Sequence, residues 1–406
     1  MDEVRAVHGC LRLERSGVLA ALDAAGEPAA AGSGLAADLT AAILSGSAAA
    51  LTASTGELRT VRTALAAGSG LEETAVPVDM TNLSVVVGGD KIIKLVRQWG
   101  GADRSARLLA RLADAGVEAV PGYYGSLEWV HPEHGRSTLA LLSSVIPDAG
   151  DGWTWAADDV VTWFRGGELP EFPAALGRLT AEVHTALLAA DPLPAPGAAE
   201  VRARADGVLD VALALTGGDA GTRLANRREG IRALLAAIPE TAAPAFDLHG
   251  DLHVGQVLRS GGKYWLLDFD GDPQLPDAER DRPDTAARDV AHLAASLEMV
   301  ASVAAKRLQV ADKASLDRLY GWAREAQTQL VQGYRSAAAG AGFPELLDEA
   351  MLPGLIAEQL LRELIYAHRY LPRWQYAADG AITHRFERDL TRTPQTKETA
   401  WTPPAL

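Results

Sequence analysis

Residues 246–273, FDLHGDLHVGQVLRSGGKYWLLDFDGDP, form the stretch that decides the fold. Two aspartate-bearing loops, HGDLHVGQ and DFDGDP, lie near its ends, and two short apolar segments lie between them. The Gly-Gly pair that separates these segments is typical of a two-residue β-turn, so the segments are predicted to pair as a hairpin. Because a hairpin brings its ends together, we expect Asp251, Gln256 and Asp268 to converge.

These three side chains suit the transfer of a phosphoryl group, whose catalysis is mostly positioning and neutralisation of charge. A carboxylate must accept the proton of the attacking hydroxyl, and Asp251 is the candidate for that base. Oxygen ligands must hold Mg²⁺ against the nucleotide phosphates, and Gln256 and Asp268 are the candidates. An acidic turn or a calcium loop would explain either loop alone, whereas the two together favour a kinase.

The spacing resembles the catalytic loop of kinases, in which Asn follows the catalytic Asp by five residues and a metal-binding Asp comes later. More closely, HGDLHVGQ followed by DFDGDP is similar to the aminoglycoside phosphotransferase branch of that fold, and within it to actinobacterial maltokinases and glucosamine kinases. Gln256 points to this group, because the wider branch usually has Asn there. The resemblance extends more weakly over residues 80–375, and it implies that His249 holds the loop by hydrogen bonds.

The resemblance implies an α+β fold of the bilobal, protein-kinase-like type seen in aminoglycoside phosphotransferases. It implies ATP and Mg²⁺ as cofactors and a small sugar as acceptor. Three units are expected: an N-terminal cap subdomain over 1–76, a small kinase-like lobe over 77–145, and a mainly helical C-terminal lobe over 146–406. Disorder is the alternative for the Ala- and Gly-rich cap, but its Leu, Val and Ile content favours a folded piece.

Composition excludes several classes of function. The net charge of −15 argues against nucleic acid or an anionic membrane as a partner. The single cysteine, Cys10, excludes an internal disulfide. The first residues lack the apolar core of a signal peptide, and no apolar run reaches the length of a membrane span. We therefore expect a cytoplasmic enzyme.

The segment VDMTNLSVVVGGDKIIKLVRQW, residues 78–99, is predicted to form a strand, a Gly-Gly-Asp turn and a second strand. In a kinase small lobe such a hairpin covers the nucleotide, and a lysine on the following strand pairs with its phosphates. Thr81, Asn82 and Ser84 are candidate donors to phosphate. Lys94, inside the apolar run IIKLV, is the candidate lysine, and a lysine that protects an edge strand is the alternative.

Two other small-lobe features follow from the resemblance. It implies a Glu near position 105 to pair with Lys94, but this chain has Ser105 there, so either Asp103 substitutes or Lys94 is positioned otherwise. It also implies that the backbone after the buried strand Leu139–Leu142 pairs with adenine. Ser144 and Val145 are the candidate residues of this hinge.

The helix predicted over 355–374 carries a polar stripe, formed by Gln359, Glu363, Tyr366 and Tyr370 at helical spacing. In the resembled family the acceptor sugar binds against the C-terminal helices, although a solvated face would give the same pattern. The candidate substrate contacts are His253, Glu363, Tyr366 and Trp374, together with Asp251.

The hydroxyl-rich pattern of maltokinases is missing from 355–374, and Glu363 offers a carboxylate to an ammonium group. We therefore expect phosphorylation of glucosamine, at its 6-hydroxyl. The alternatives are a maltokinase that forms maltose 1-phosphate, an aminoglycoside phosphotransferase, and a pseudokinase that binds nucleotide without catalysis.

Four further residues are predicted to be structural. His184 is expected to be a core histidine, and Trp153 is expected to pack rather than contact substrate. Arg288 and Asp289, near the start of a predicted helix, are expected to form an ion pair close to the active site.

Overall fold

Strands dominate the first part of the chain and helices the rest. The computed structural model describes residues 2–76, 83–188 and 192–386. Up to residue 144 the elements are β1 (Asp2–Ala6), β2 (Gly9–Leu13), β3 (Leu19–Asp23), α1 (Leu35–Ser45), β4 (Thr52–Ala53), β5 (Glu57–Arg62), β6 (Glu73–Ala75), β7 (Leu83–Val87), β8 (Lys91–Leu95), α2 (Asp103–Asp114), β9 (Tyr123–His131) and β10 (Gly135–Ser144). After it come α3 (Gly152–Phe164), α4 (Phe172–Leu187), α5 (Ala198–Leu215), α6 (Gly218–Ala236), β11 (Ala245–Phe246), β12 (Val257–Ser260), β13 (Lys263–Leu266), α7 (Asp277–Arg280), β14 (Asp284–Thr285), α8 (Ala287–Leu308), α9 (Lys313–Gly340), α10 (Leu352–Tyr370) and α11 (Gln375–Arg385).

Within the described residues, the small lobe is built on a six-stranded antiparallel sheet with the order β5-β9-β10-β8-β7-β6. β5 and β6 precede residue 77, so the sheet extends across the boundary expected there. The rest of the cap is a second sheet, β3-β2-β1-β4, with α1. Apolar side chains of both parts share one core, among them Leu11, Leu39, Ile93 and Leu127. The cap is therefore a folded extension of the small lobe.

The alternation of β8 separates its two lysines. Lys91, Ile93 and Leu95 are buried on one face, while Ile92 and Lys94 lie half-buried on the other. Successive side chains of a strand point to opposite faces, which is the arrangement the sequence predicted. Lys94 therefore faces the cleft between the lobes, and Lys91 does not.

The C-terminal lobe surrounds a second apolar core, through which α8 runs almost wholly buried. α4 and α9 pack closely where Gly177 and Gly333 lie. A Cβ at Gly177 would come 2.0 Å from the carbonyl oxygen of Leu330, and one at Gly333 would come 2.2 Å from that of Ala174. Glycine is thus required at this contact. In the described ranges, no helix combines the length and the apolar character needed to cross a bilayer.

The hairpin predicted in residues 246–273 is confirmed as β12 and β13. Ser260 pairs with Lys263 across the turn. Gly261 and Gly262, with φ angles of 53° and 77°, adopt the left-handed backbone that such a turn requires. The two aspartate loops leave the same end of this hairpin, facing the small lobe.

Candidate active site

The hairpin brings the predicted base, Asp251, and the two predicted metal ligands, Gln256 and Asp268, together. The amide of Leu267 donates to the carbonyl oxygen of Gln256 at 2.9 Å, which joins the two loops directly. The Gln256 side chain hydrogen-bonds to the Asp251 carboxylate, and Asp268 is close enough to perturb the same carboxylate electrostatically. The convergence of Asp251, Gln256 and Asp268 is confirmed.

Asp289, in the first turn of α8, holds the first loop in place. Its carboxylate accepts from the amides of His249 at 2.7 Å and Gly250 at 2.9 Å, and from His184 Nε2 at 3.1 Å. Burial alone would raise the pKa of Asp289, but the hydrogen bond and charge of His184 lower it to about 2. Asp289 is therefore an ionised anchor beneath the catalytic loop.

Two predicted structural histidines have the expected role. His249 donates from Nε2 to the carbonyl oxygen of Leu267 at 2.7 Å and so links the two loops. His184 is fully buried between Asp289 and the hydroxyl of Tyr334. Both rings are satisfied within the protein.

The ion pair expected between Arg288 and Asp289 is wrong. Arg288 instead pairs with Asp284 at 3.2 Å and Glu358 at 2.8 Å, while Asp289 pairs with His184. Consecutive residues of a helix do not face each other, so the two side chains reach different partners.

Asp251 lies in an unusually electronegative environment. Burial, followed by the negative charges of Asp272, Glu363 and Asp268, raises its pKa well above the ordinary value, against the hydrogen bond from Gln256. A carboxylate with a raised pKa is a stronger proton acceptor. The geometry thus allows Asp251 to act as a base.

Lys94 reaches across the cleft to the second loop. Its Nζ donates to Asp268 Oδ1 at 2.9 Å and to Asp270 Oδ2 at 2.7 Å. Burial alone would lower the pKa of Lys94, but these two carboxylates raise it overall. The ammonium group is therefore charged and lies where the two lobes meet.

Asp103 does not substitute for the missing small-lobe Glu. Its carboxylate accepts from the amide of Thr138 at 2.6 Å, away from Lys94. Ser105, at the position where the resemblance implied Glu, hydrogen-bonds to Asp270. The second of the two expectations is thus the correct one, because Lys94 is held by the DFDGDP loop instead.

Asp268 has a backbone φ of 59°, in the left-handed region, which is uncommon for a residue other than glycine. Burial would raise its pKa, but Lys94 lowers it overall, whereas the pKa of Asp270 is raised, so Asp268 is the more acidic of the two carboxyl groups. Carboxylate and amide oxygens at Asp268 and Gln256 are the donors that Mg²⁺ prefers. No three His, Cys, Asp or Glu side chains of the described residues form a preformed metal cluster.

The structure describes only some of the residues predicted to contact the nucleotide. Thr81 and Asn82 lie outside the described residues, while Ser84 on β7 is directly opposite Lys94 on β8. The amide of Ser144 donates to the carbonyl oxygen of Gly122 at 2.7 Å, and that of Val145 to Asp90 at 2.9 Å. Their amides are thus engaged within the protein and are not free to pair with a base.

Three of the predicted acceptor residues, His253, Glu363 and Tyr366, lie near Asp251. Glu363 Oε1 accepts from Gln359 Nε2 at 3.1 Å and from His292 Nε2 at 3.0 Å. Burial would raise the pKa of Glu363, but its hydrogen bond to His292 lowers it overall, so this carboxylate is ionised. Tyr366 is near enough for both Asp251 and Glu363 to raise the pKa of its hydroxyl, after burial. Tyr370, the last residue of the polar stripe, is exposed.

Aromatic rings pack together beside these residues. Trp153 stacks on His253, with ring centroids 5.8 Å apart, and lies 5.3 Å from the ring of Trp374. Burial, then the charge of His292, lowers the pKa of His253 to about 3, so this ring is neutral. Trp153 packs as predicted, but against two of the predicted substrate contacts.

Sequence reasoning missed His292 and Arg104. His292, one helical turn after Asp289, lies between two carboxylates, 3.0 Å from Glu363 and 3.8 Å from Asp251. The spacing of three residues from Asp289 was the available signal, since it places both on one face of α8.

Arg104, on α2 of the small lobe, is 7% exposed and binds the backbone of both aspartate loops. Its guanidinium group donates to the carbonyl oxygens of Leu248 at 2.6 Å, Phe269 at 2.7 Å and His249 at 3.2 Å. Backbone acceptors leave no sequence signal, so this link was not predictable.

Comparison with known proteins shows what the chain is similar to. No family model matches the chain. The chain is 37% identical to a glucosamine kinase of Mycolicibacterium smegmatis over 76% of its length and 78% of that protein. It is 38% identical to a glucosamine kinase of Streptacidiphilus jiangxiensis over 77% of its length and 73% of that protein. A solved glucosamine kinase, in complex with glucosamine, ADP and inorganic phosphate, superposes with a TM-score of 0.78 at 31% identity, covering 94% of this chain and 92% of that chain. The bilobal, kinase-like fold is therefore confirmed.

Proposed function

The chain belongs to the glucosamine kinase family and is a phosphotransferase that acts on a sugar hydroxyl, and we propose that its acceptor is glucosamine, phosphorylated at the 6-hydroxyl with ATP and Mg²⁺. The relatives support the acceptor and the nucleotide. The position of phosphorylation and the roles of individual residues are supported by the site itself.

One observation carries the proposal. Two half-buried carboxylates of opposite character, Asp251 and Glu363, lie on either side of His292. The pKa of Asp251 is raised, which makes its carboxylate the stronger base, and that of Glu363 is lowered, which keeps its carboxylate negatively charged. An acceptor that carries both a hydroxyl and an ammonium group matches this pair, and a neutral sugar matches only half of it.

Asp251 accepts the proton of the attacking hydroxyl in this proposal. The hydroxyl oxygen forms a bond to the γ-phosphorus of ATP, and the bond from that phosphorus to the β,γ-bridging oxygen breaks, which leaves ADP. C2 and C6 lie on opposite sides of the sugar ring. A sugar that gives its C2 ammonium to Glu363 can therefore direct its 6-hydroxyl at Asp251.

Lys94 and Ser84 contact the phosphates in the proposed complex, together with Thr81 and Asn82. The charged ammonium of Lys94 lies at the lobe interface beside Asp268, which is where phosphate groups need a cation. Gln256 and Asp268 would hold Mg²⁺, which neutralises phosphate charge when bound. The backbone of Ser144 and Val145 faces adenine.

The acceptor is enclosed by His253, Tyr366 and Trp374 in this proposal, with Trp153 behind them. Aromatic rings stack on the apolar C–H faces of sugars, while the neutral His253 and the Tyr366 hydroxyl supply hydrogen bonds. A carboxylate that can bind an ammonium group, together with one flat aromatic surface, fits a small amino sugar.

An ATP-consumption screen tests the proposal. The panel is glucosamine, N-acetylglucosamine, glucose, maltose and an aminoglycoside, and NMR of the product gives the phosphorylated position. We expect glucosamine to be the best substrate and its 6-phosphate to be the product. If maltose or an aminoglycoside is best, the proposed acceptor is wrong. Tight binding of Mg-ATP in calorimetry, without turnover on any sugar, would identify a pseudokinase instead.

A further inference from the structure

A segment outside the predicted site runs along the hinge end of the small-lobe sheet. Residues 63–72, TALAAGSGLE, connect β5 to β6, which form opposite edges of that sheet. To join them, the segment crosses the ends of the strands between. We call it the strap.

Both ends of the strap are hydrogen-bonded to the sheet. At the first end, Thr63 donates from its amide to the carbonyl oxygen of Tyr124 at 3.0 Å and from its hydroxyl to that of Tyr123 at 2.6 Å. At the other end, the carbonyl oxygen of Glu72 accepts from the amide of Gly88 at 2.8 Å. The strap is therefore fixed at two edges of the lobe.

An ion pair between the buried Lys91 and the partly exposed Asp90 holds the middle of the strap. The side chain of Lys91 is completely buried, and its Nζ donates to the carbonyl oxygen of Gly68 at 2.8 Å and to Asp90 Oδ1 at 2.5 Å. The amide of Gly68 donates in turn to Asp90 Oδ2 at 2.9 Å. A lysine buried without partners is very costly, so these three groups must remain together for Lys91 to stay where it is.

The same residues hold the segment that faces adenine. The carbonyl oxygen of Asp90 accepts from the amide of Val145 at 2.9 Å. Lys91 is three residues before Lys94 on β8, a separation of about 10 Å at the rise of a β-strand. One short strand therefore positions both the lysine proposed for the phosphates and the backbone proposed for the base.

We propose that Lys91 is a positioning residue for the nucleotide: with Asp90 it fastens the strap across the sheet and thereby holds the segment Ser144–Val145 in place for adenine. The inference rests on the proposed use of ATP, and it deepens that proposal, because it assigns a nucleotide-binding function to a residue that does not touch the cleft.

The test compares Lys91→Met with Lys263→Met, which removes an exposed lysine from the β12–β13 hairpin. Methionine fills a similar volume, and Asp90 remains 44% exposed, so no buried charge is left unpaired. ADP binding is measured by calorimetry without any acceptor, and KM is measured for ATP and for glucosamine. We expect Lys91→Met to weaken ADP binding and to raise the KM for ATP by about tenfold, the size of one lost charge-assisted contact. The KM for glucosamine should stay within about twofold, and Lys263→Met should change none of these.

A folded Lys91→Met protein that binds ADP within about twofold of the native protein would overturn the inference, and so would an equal rise in both KM values.

If Lys91→Met fails to fold, Gly68→Ala provides a second test of the same inference. An alanine Cβ at position 68 would lie 2.6 Å from Asp90 Oδ2 and displace that carboxylate, whereas Gly207→Ala, its control, meets no atom within 4 Å. Gly68→Ala should weaken ADP binding and Gly207→Ala should not, and equal binding by the two would again refute the role of the strap. Since binding is measured without acceptor, a native protein that binds ADP but does not phosphorylate glucosamine would refute the proposed acceptor and leave this test intact.

Discussion

Glu363→Gln tests whether the negative charge of Glu363, rather than its shape, selects the proposed acceptor. The Glu363 side chain is 16% exposed, and its Oε1 already accepts from His292 and Gln359. Its second oxygen has no hydrogen-bond partner among the described residues, so that oxygen is the one available to an ammonium group. Glutamine has the same size and keeps an oxygen for His292 and Gln359. The substitution therefore removes mainly the negative charge.

The expected magnitude follows from that single contact. A hydrogen bond between a carboxylate and an ammonium contributes about 1.5–3 kcal/mol net. At about 1.4 kcal/mol for each factor of ten, the native enzyme should prefer glucosamine to glucose by roughly ten- to a hundredfold in kcat/KM. N-acetylglucosamine should be poorer still, because acetylation removes the charge and adds bulk. Glu363→Gln should weaken glucosamine more than glucose and so narrow the preference to a few-fold.

The assay is the ratio of kcat/KM for glucosamine and glucose in native and variant enzyme, with a coupled measurement of ADP release. Gln359→Met is the matched control, because it removes a neutral donor to the same Glu363 oxygen and leaves the charge. Its ratio should remain close to that of the native enzyme. If the ratio of the two kcat/KM values is unchanged in Glu363→Gln, or if maltose is the best substrate, Glu363 does not recognise the ammonium group of the sugar.

Three further outcomes are expected. Asp251→Asn should reduce kcat by orders of magnitude while ATP binding in calorimetry stays nearly native, because a base acts in the transition state; near-normal turnover would remove Asp251 from the mechanism. Asp268→Ala should abolish Mg²⁺-dependent ATP binding and Gln256→Ala should only weaken it, because a neutral amide is the weaker ligand; tight binding of Mg-ATP by Asp268→Ala would contradict the metal assignment. Asp289, with its pKa lowered to about 2 from 3.8, stabilises the fold fully above about pH 3.8, by about 2 kcal/mol, and this contribution is lost as the pH falls toward 2. The urea midpoint of Asp289→Asn should therefore fall less steeply than that of the native protein between about pH 5 and pH 3, and parallel curves would show that Asp289 does not contribute in this way.

Much of the site could be predicted because its signals are local. The Gly261–Gly262 turn gives the hairpin, and the hairpin forces Asp251, Gln256 and Asp268 together. Strand alternation separates Lys91 from Lys94 in the same direct way. In each case the backbone geometry of a few consecutive residues determines where the side chains point.

What the sequence left open, missed or assigned wrongly concerns the choice of partners. Lys94 pairs with carboxylates 174 and 176 residues away, so the sequence could not decide between Asp103 and another partner. Arg288 and Asp289 are adjacent in sequence but bind different partners.

The sequence by itself determined the two loops, the turn between them and the chemistry that their side chains can perform, because these depend on bonds and dihedral angles within short segments. Only the tertiary structure decided that His292 lies between Asp251 and Glu363 and that Lys91 is buried against Gly68. Burial, the charge state of a carboxylate and the choice of hydrogen-bond partner arise from elements that meet only when the chain is folded. The residues proposed to perform the chemistry could therefore be selected from the sequence, whereas several of those that hold them in position could not.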